Sequence, residues 1–218
     1  MKIKSIYPPN IGWLEIKLND EEMKHLWNCC EDHKGDTKPE LAGNISNSQN
    51  IIDKDNWFWD NVLTECLKTY AKEFGNLGNS FASSMPHPYY LKSFWVNYQK
   101  ETEFNPVHNH FGIYSFVIWM KIPTDHREQK QLPIARSNSS SISNFQFQFV
   151  NMLGEPSNYT YEMSPSREGT LLFFPSKLMH SVYPFYNCDK ERVSISGNVC
   201  LKIDGEVKRQ NADGGLDS

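Results

Sequence analysis

The chain has 218 residues, 39% hydrophobic and 13% aromatic, enough for one sizeable core, with a formal charge of −4 and a pI near 6.0. That balance, with no long basic run, gives no electrostatic basis for binding nucleic acid or an anionic membrane surface, and no apolar run approaches the roughly 20 residues that span a bilayer. Five scattered cysteines (Cys29, Cys30, Cys66, Cys188, Cys200) include no CxxC pair. They suggest neither a disulfide framework nor a zinc knuckle, and together with the lack of an apolar leader in "MKIKSIYPPNIGW" they lead us to expect a reducing, cytoplasmic setting.

In chain order, "GWLEIKL" reads as a first strand and "NDEEMKHLWNCCEDH" as a helix, with Asn19 or Asp20 at its N-cap and acidic residues in its first turn. The polar stretch "GDTKPELAGNISNSQN" reads as a loop. A second helix follows in "DKDNWFWDNVLTECLKTYAKEFGN", where Trp59, Val62, Leu63, Cys66, Leu67, Tyr70 and Phe74 recur near helical spacing and Gly75 ends the run.

From residue 90 the pattern turns to β. The runs "LKSFWVNYQ", "IYSFVIWMKIP", "NFQFQFV", "YTYEM", "GTLLFFP" and "RVSISGNVCLKI" are separated by turn residues, and Phe145, Phe147 and Phe149 alternate with period 2. A polar, serine-containing insertion at 124–144 is expected to be a mobile loop, and "QNADGGLDS" a frayed tail. The expected fold is mainly β with flanking helices: a β-sandwich or barrel of about eight strands, with 1–89 packing on a core at 90–203 and 204–218 as tail.

Three pieces of sequence carry chemistry. "EFNPVHNHFG" places His108 and His110 two apart, so that in a strand both imidazoles share a face. "GTLLFFPSKLMHSVYP" runs an apolar strand from Gly169 to Pro175 and delivers His180 after a short turn. "ERVSISGNV" opens a strand with Arg192, followed by alternating Val193, Ile195 and Val199. An arginine there points either to solvent or to an anion held inside, which guanidinium grips bidentately. Alone, each piece is as well explained by ordinary packing. Trp95 and Trp119 read as core, and His25, His33, His87 and His126 as surface histidines.

Together, the order His-x-His, Gly…Pro…His, Arg resembles the Fe(II)/2-oxoglutarate-dependent dioxygenases, double-stranded β-helix (jelly-roll) enzymes, which implies a jelly-roll core. Within them the chain is most similar to small oxygenases found in phages and marine bacteria, through "FWVNYQKETEFNPVHNH", "LFFPSKLMH" and "RVSISGN" over roughly residues 90–203. The resemblance implies Fe(II) on His108, His110 and His180, with 2-oxoglutarate chelated to it and paired through its distal carboxylate with Arg192. Asn97 and Tyr98 on the preceding strand and Ser194 beyond Arg192 are the implied supporting residues. It also implies molecular oxygen and an unknown prime substrate as partners, and hydroxylation of a C–H bond with release of succinate and CO2.

The commoner family motif has Asp or Glu where this chain has His110. Either three imidazoles ligate the metal, which the spacing favours, or His110 stands behind it with water in its place. Two rival readings are a cupin-type metal barrel and a binding jelly-roll with incidental histidines. "G-x5-P-x4-H" at Gly169–His180 fits a cupin, but the positions where a cupin carries glutamate are Tyr114 and Ser115.

Overall fold

The computed structural model describes residue 4 and residues 11–32, 43–80, 86–139 and 141–203. The expected tail and His33 lie outside the described residues. The described strands are β1 (Leu14–Lys17), β2 (Asn47–Asn50), β3 (Tyr89–Gln99), β4 (Asn105–His108), β5 (Tyr114–Lys121), β6 (Phe145–Val150), β7 (Pro156–Tyr161), β8 (Thr170–Pro175), β9 (Met179–Val182) and β10 (Arg192–Leu201). They form a six-stranded sheet in the order β1-β8-β5-β10-β3-β2 and a four-stranded sheet in the order β4-β9-β6-β7, with antiparallel pairing throughout. This is the jelly-roll expected from the sequence.

Strand parity divides the core in two. Phe116, Ile118, Met120, Leu171, Phe173, Val193 and Ile195 face outward and pack under the helices with Leu26, Phe58, Leu63 and Tyr70. Val117, Trp119, Leu172 and Phe174 face the other way and meet Phe145, Phe147 and Tyr161 of the small sheet. A side-chain period of 2 requires this split, and burial on both faces explains why "SFVIWM" reads as an unbroken apolar run.

Both expected helices are present. Helix α1 (Asp20–Glu31) starts from Asn19, whose side chain accepts from the Glu22 N–H while the Glu22 carboxylate accepts from the Asn19 N–H, a reciprocal capping box. Helix α2 (Thr64–Phe74) continues a π-helical turn at Trp59–Leu63. The entry to that turn is fixed by Asp53, which accepts from the Phe58 and Trp59 N–H groups, each at 2.8 Å. Gly75 ends α2 with φ of 86°, a conformation that glycine adopts without strain.

Two segments differ from expectation. Part of the polar loop before residue 51 is strand β2, because "NSQN" edges the large sheet against β3 and turns Ser48 into the interior. The insertion at 124–144 is not a structureless loop. It contains a short helix, α3 (His126–Gln129), and a 3-10 turn at Pro133–Ala135. Its ends are pinned by buried polar groups: Gln129 donates to Tyr186 O, the Tyr186 N–H donates back to Gln129, and His126 Nδ1 donates to Ile142 O. His126 is accordingly 2% exposed, not a surface residue. His25 is also partly buried, stacked on Trp57 and paired with Asp53.

Candidate metal centre

His108 ends β4 and pairs in register with His180 on β9, so neighbouring strands of the small sheet place two imidazoles side by side. His110 lies past the strand end. The strand parity read from the sequence is therefore not what aims it. Its N–H donates to Ser176 O at 2.8 Å and Lys177 Nζ donates to its carbonyl at 3.0 Å, tying the segment to the turn after β8. Gly112 completes this turn at φ of 91°, and a Cβ there would sit 2.8 Å from Val199 O. A side chain at 112 would displace the histidine segment.

The three rings converge. One ligand atom from each of His108, His110 and His180 lies within 4.8 Å of the others. His110 Nε2 and His180 Nε2 are 3.1 Å apart. His108 Nδ1 faces Pro106 O at 2.7 Å and His180 Nδ1 faces Leu178 O at 2.9 Å. A carbonyl only accepts, so in both rings Nδ1 carries the proton and Nε2 keeps a lone pair, the arrangement in which an imidazole ligates a metal.

Phe145, Phe147 and Phe174 surround His180, with ring centroids at 5.7, 6.2 and 5.1 Å. Desolvation, then the neighbouring imidazoles, pushes the His180 pKa well below its usual value; burial chiefly pushes His110 down to about 3 and lowers His108. All three are neutral at physiological pH, so a divalent ion need displace no proton from them. The donor set fits such an ion.

The histidines open on a cavity of about 180 Å³ that Arg192 also lines. Arg192 is 2% exposed. One terminal nitrogen donates to Ser143 O at 2.9 Å and Ser143 Oγ at 2.7 Å. The other makes only long contacts, 3.4 Å to Gln99 and 3.5 Å to Tyr183 O, and Nε is buried without a partner. The Phe185 ring covers the guanidinium at 4.9 Å. Among the described residues no carboxylate pairs with it. Burial alone lowers its pKa to about 9, leaving it charged at neutral pH. A buried cation with one free N–H and no counter-ion is a receptor for an anion.

Asn97 and Ser194 stand in register on β3 and β10 and line the cavity. Asn97 is buried and accepts from Ser48 Oγ at 2.7 Å. Tyr98 does not join them. It is the next residue on the same strand, so it points to the opposite face and packs into the helix-side core, which corrects its expected place beside the cosubstrate. Trp119 belongs to the inner core as expected and also touches the cavity, and Trp95, though buried, lines it with its ring 5.8 Å from His110. Sequence reading missed Ser143 and Gln99. Gln99 was legible in principle, being two residues past Asn97 on one face; Ser143, 49 residues before Arg192, carried no local signal.

Comparison with known proteins agrees with this geometry. Residues 93–198 match the family described as "Putative 2OG-Fe(II) oxygenase". The structure of a viral collagen prolyl hydroxylase from Paramecium bursaria Chlorella virus-1, in complex with 2-oxoglutarate, is similar in fold, with a TM-score of 0.50 and 12% identity over 88% of this chain and 96% of that one. A Pseudomonas putida prolyl-4-hydroxylase aligns with a TM-score of 0.49 and 16% identity over 89% of this chain and 94% of its own. No curated protein matches. The stretch from residue 93 to 198, which holds all three histidines and Arg192, is thus similar to the 2-oxoglutarate- and Fe(II)-dependent oxygenases. Among the described residues no helix is long and apolar enough to cross a membrane.

Proposed function

We propose that the protein hydroxylates an unactivated C–H bond of a protein residue or small molecule, with His108, His110 and His180 as iron ligands and Arg192 as anchor of the 2-oxoglutarate distal carboxylate. The observation that carries this reading is the meeting, in one cavity, of three convergent histidines, His108 and His180 with inward lone pairs, and a buried guanidinium that lacks a counter-ion. With iron and 2-oxoglutarate bound, the centre supplies oxidation of a C–H bond by O2, coupled to decarboxylation of the cosubstrate to succinate and CO2.

The chain's own residues orient and shield. Arg192 lies four residues before Ser196, which is level with Trp95 and hence with His110. That is about 13 Å along the strand, a span that the arginine side chain and a five-carbon dicarboxylate together can bridge. Ser143 holds the guanidinium from behind, and Ser194, on the same face, is placed to donate to the same carboxylate. Phe145, Phe147 and Phe174 keep water from the His180 side.

The test is anaerobic addition of Fe(II) and then 2-oxoglutarate. A weak visible charge-transfer band, followed by succinate release on admitting O2, is expected. Metal binding without response to 2-oxoglutarate would favour a metal barrel of another kind, and no metal binding would favour a binding module.

A further inference from the structure

The wall facing the histidines has a chemistry of its own. Of 24 residues lining the cavity, ten carry a side-chain amide or hydroxyl, and Arg192 is the single permanent charge among the described residues. Charged residues make up 22% of the chain, so this lining is depleted of charge.

Register arranges the wall in rows. Asn50, Trp95 and Ser196 stand side by side across β2, β3 and β10; the next row is Ser48, Asn97 and Ser194, and the third is Gln99 and Arg192. The first row is level with His110, whose ring lies 5.8 Å from that of Trp95. With the Arg192 row given to the cosubstrate, the first row is left to whatever else reaches the histidines.

Their hydrogen-bonding capacity is only partly used. Ser48 donates to Asn97 Oδ1, which leaves the Asn97 amide N–H groups. The side chains of Asn50 and Ser196 make no hydrogen bond among the described residues. A neutral donor or acceptor entering here exchanges water for these groups at little loss. An ammonium or guanidinium would shed water and meet no carboxylate, which is the larger penalty.

Resting on the oxygenase reading above, we propose that the prime substrate presents an uncharged group bearing hydrogen-bond donors and acceptors, a carboxamide or hydroxyl, to Asn50, Asn97 and Ser196. The same wall rejects ammonium and guanidinium groups. This takes lysine and arginine side chains and free amino acids out of the substrate class.

The experiment uses the full chain loaded anaerobically with Fe(II) and 2-oxoglutarate, titrated by calorimetry with butyramide, 1-butanol and n-butylammonium. The neutral probes are expected to bind at least about tenfold more tightly than the cation, the step that one charge-assisted contact is worth. Asn50→Asp, an exposed lining position where a carboxylate is tolerated, should raise n-butylammonium affinity by about the same factor. Equal affinities, a preference for the cation, or no binding of any probe would overturn the proposal. The visible band and O2-dependent succinate release are read on the same preparation. Their absence would count against the oxygenase reading itself, whereas a charge-blind cavity in a protein that shows both would count against the wall alone.

Discussion

The two faces of the large sheet are built from the same strands and have opposite chemistries. In β10 the outward residues Val193, Ile195 and Val199 pack under the helices, while the inward ones are Arg192, Ser194, Ser196 and Asn198. In β3 the outward residues are Phe94, Val96 and Tyr98, and the inward ones Ser93, Trp95, Asn97 and Gln99. One face anchors the strands by burial so that the other can hold polar groups at fixed positions. A site laid on strands inherits the rigidity of the sheet, an advantage for groups that must converge on one point. Gly197 shows how tightly the outer face is packed: a Cβ there would lie 2.5 Å from the Phe116 ring, which packs on Phe58 and Phe94.

If that division of labour holds, damage on one face should leave the other's property intact. The largest effect is expected from the outer face. Phe58 is fully buried and stacked on Phe94 at 5.8 Å, so Phe58→Ala should cost about 3–5 kcal/mol in chemical denaturation. The fraction that remains folded should bind iron as the parent does; a parallel loss of iron affinity would break the comparison.

On the inner face, His180→Ala should lower Fe(II) affinity on the order of a hundredfold or more, about 2.7 kcal/mol. His108→Ala and His110→Ala should behave alike, and His110→Asp should keep the metal. Metal titration decides, and normal binding by His110→Ala would remove it from the ligand set.

Arg192→Met separates stability from function more sharply. It should spare the metal and raise the 2-oxoglutarate requirement roughly tenfold to a hundredfold, the worth of a charge-assisted contact of about 1.5–3 kcal/mol. Because it removes a buried cation without a counter-ion, it should leave the melting temperature unchanged or higher. A clear fall in melting temperature would mean that Arg192 is structural.

The smallest effect is expected at Ser143. Ser143→Ala removes the 2.7 Å contact to the guanidinium and should weaken 2-oxoglutarate binding by about 1 kcal/mol, around fivefold. Arg192 would lose an acceptor and keep its charge. An effect as large as that of Arg192→Met would show that Ser143 touches the cosubstrate itself.

Much of this was legible in the sequence because it is local. The capping box at Asn19 and Glu22, the stop at Gly75, the alternation of Phe145, Phe147 and Phe149, and the order of the histidines and Arg192 all depend on neighbours within a few residues. Parity even forbade Asn97 and Tyr98 from sharing a cavity, since adjacent strand residues point apart. Periodicity could not say which of the two faced inward. That was decided when the helices covered the Tyr98 side.

Tertiary structure alone decided the rest, because it concerns groups far apart in the chain. Strand β2 has a polar sequence and becomes a strand through its pairing with β3. Ser143 and Gln99 meet Arg192 across 49 and 93 residues, and His110 is aimed by the turn at Ser176 and Lys177, not by a strand of its own. Local pattern fixes which residues alternate, cap and turn. Which of them share a cavity depends on how the two sheets close, and closure is set by the whole core.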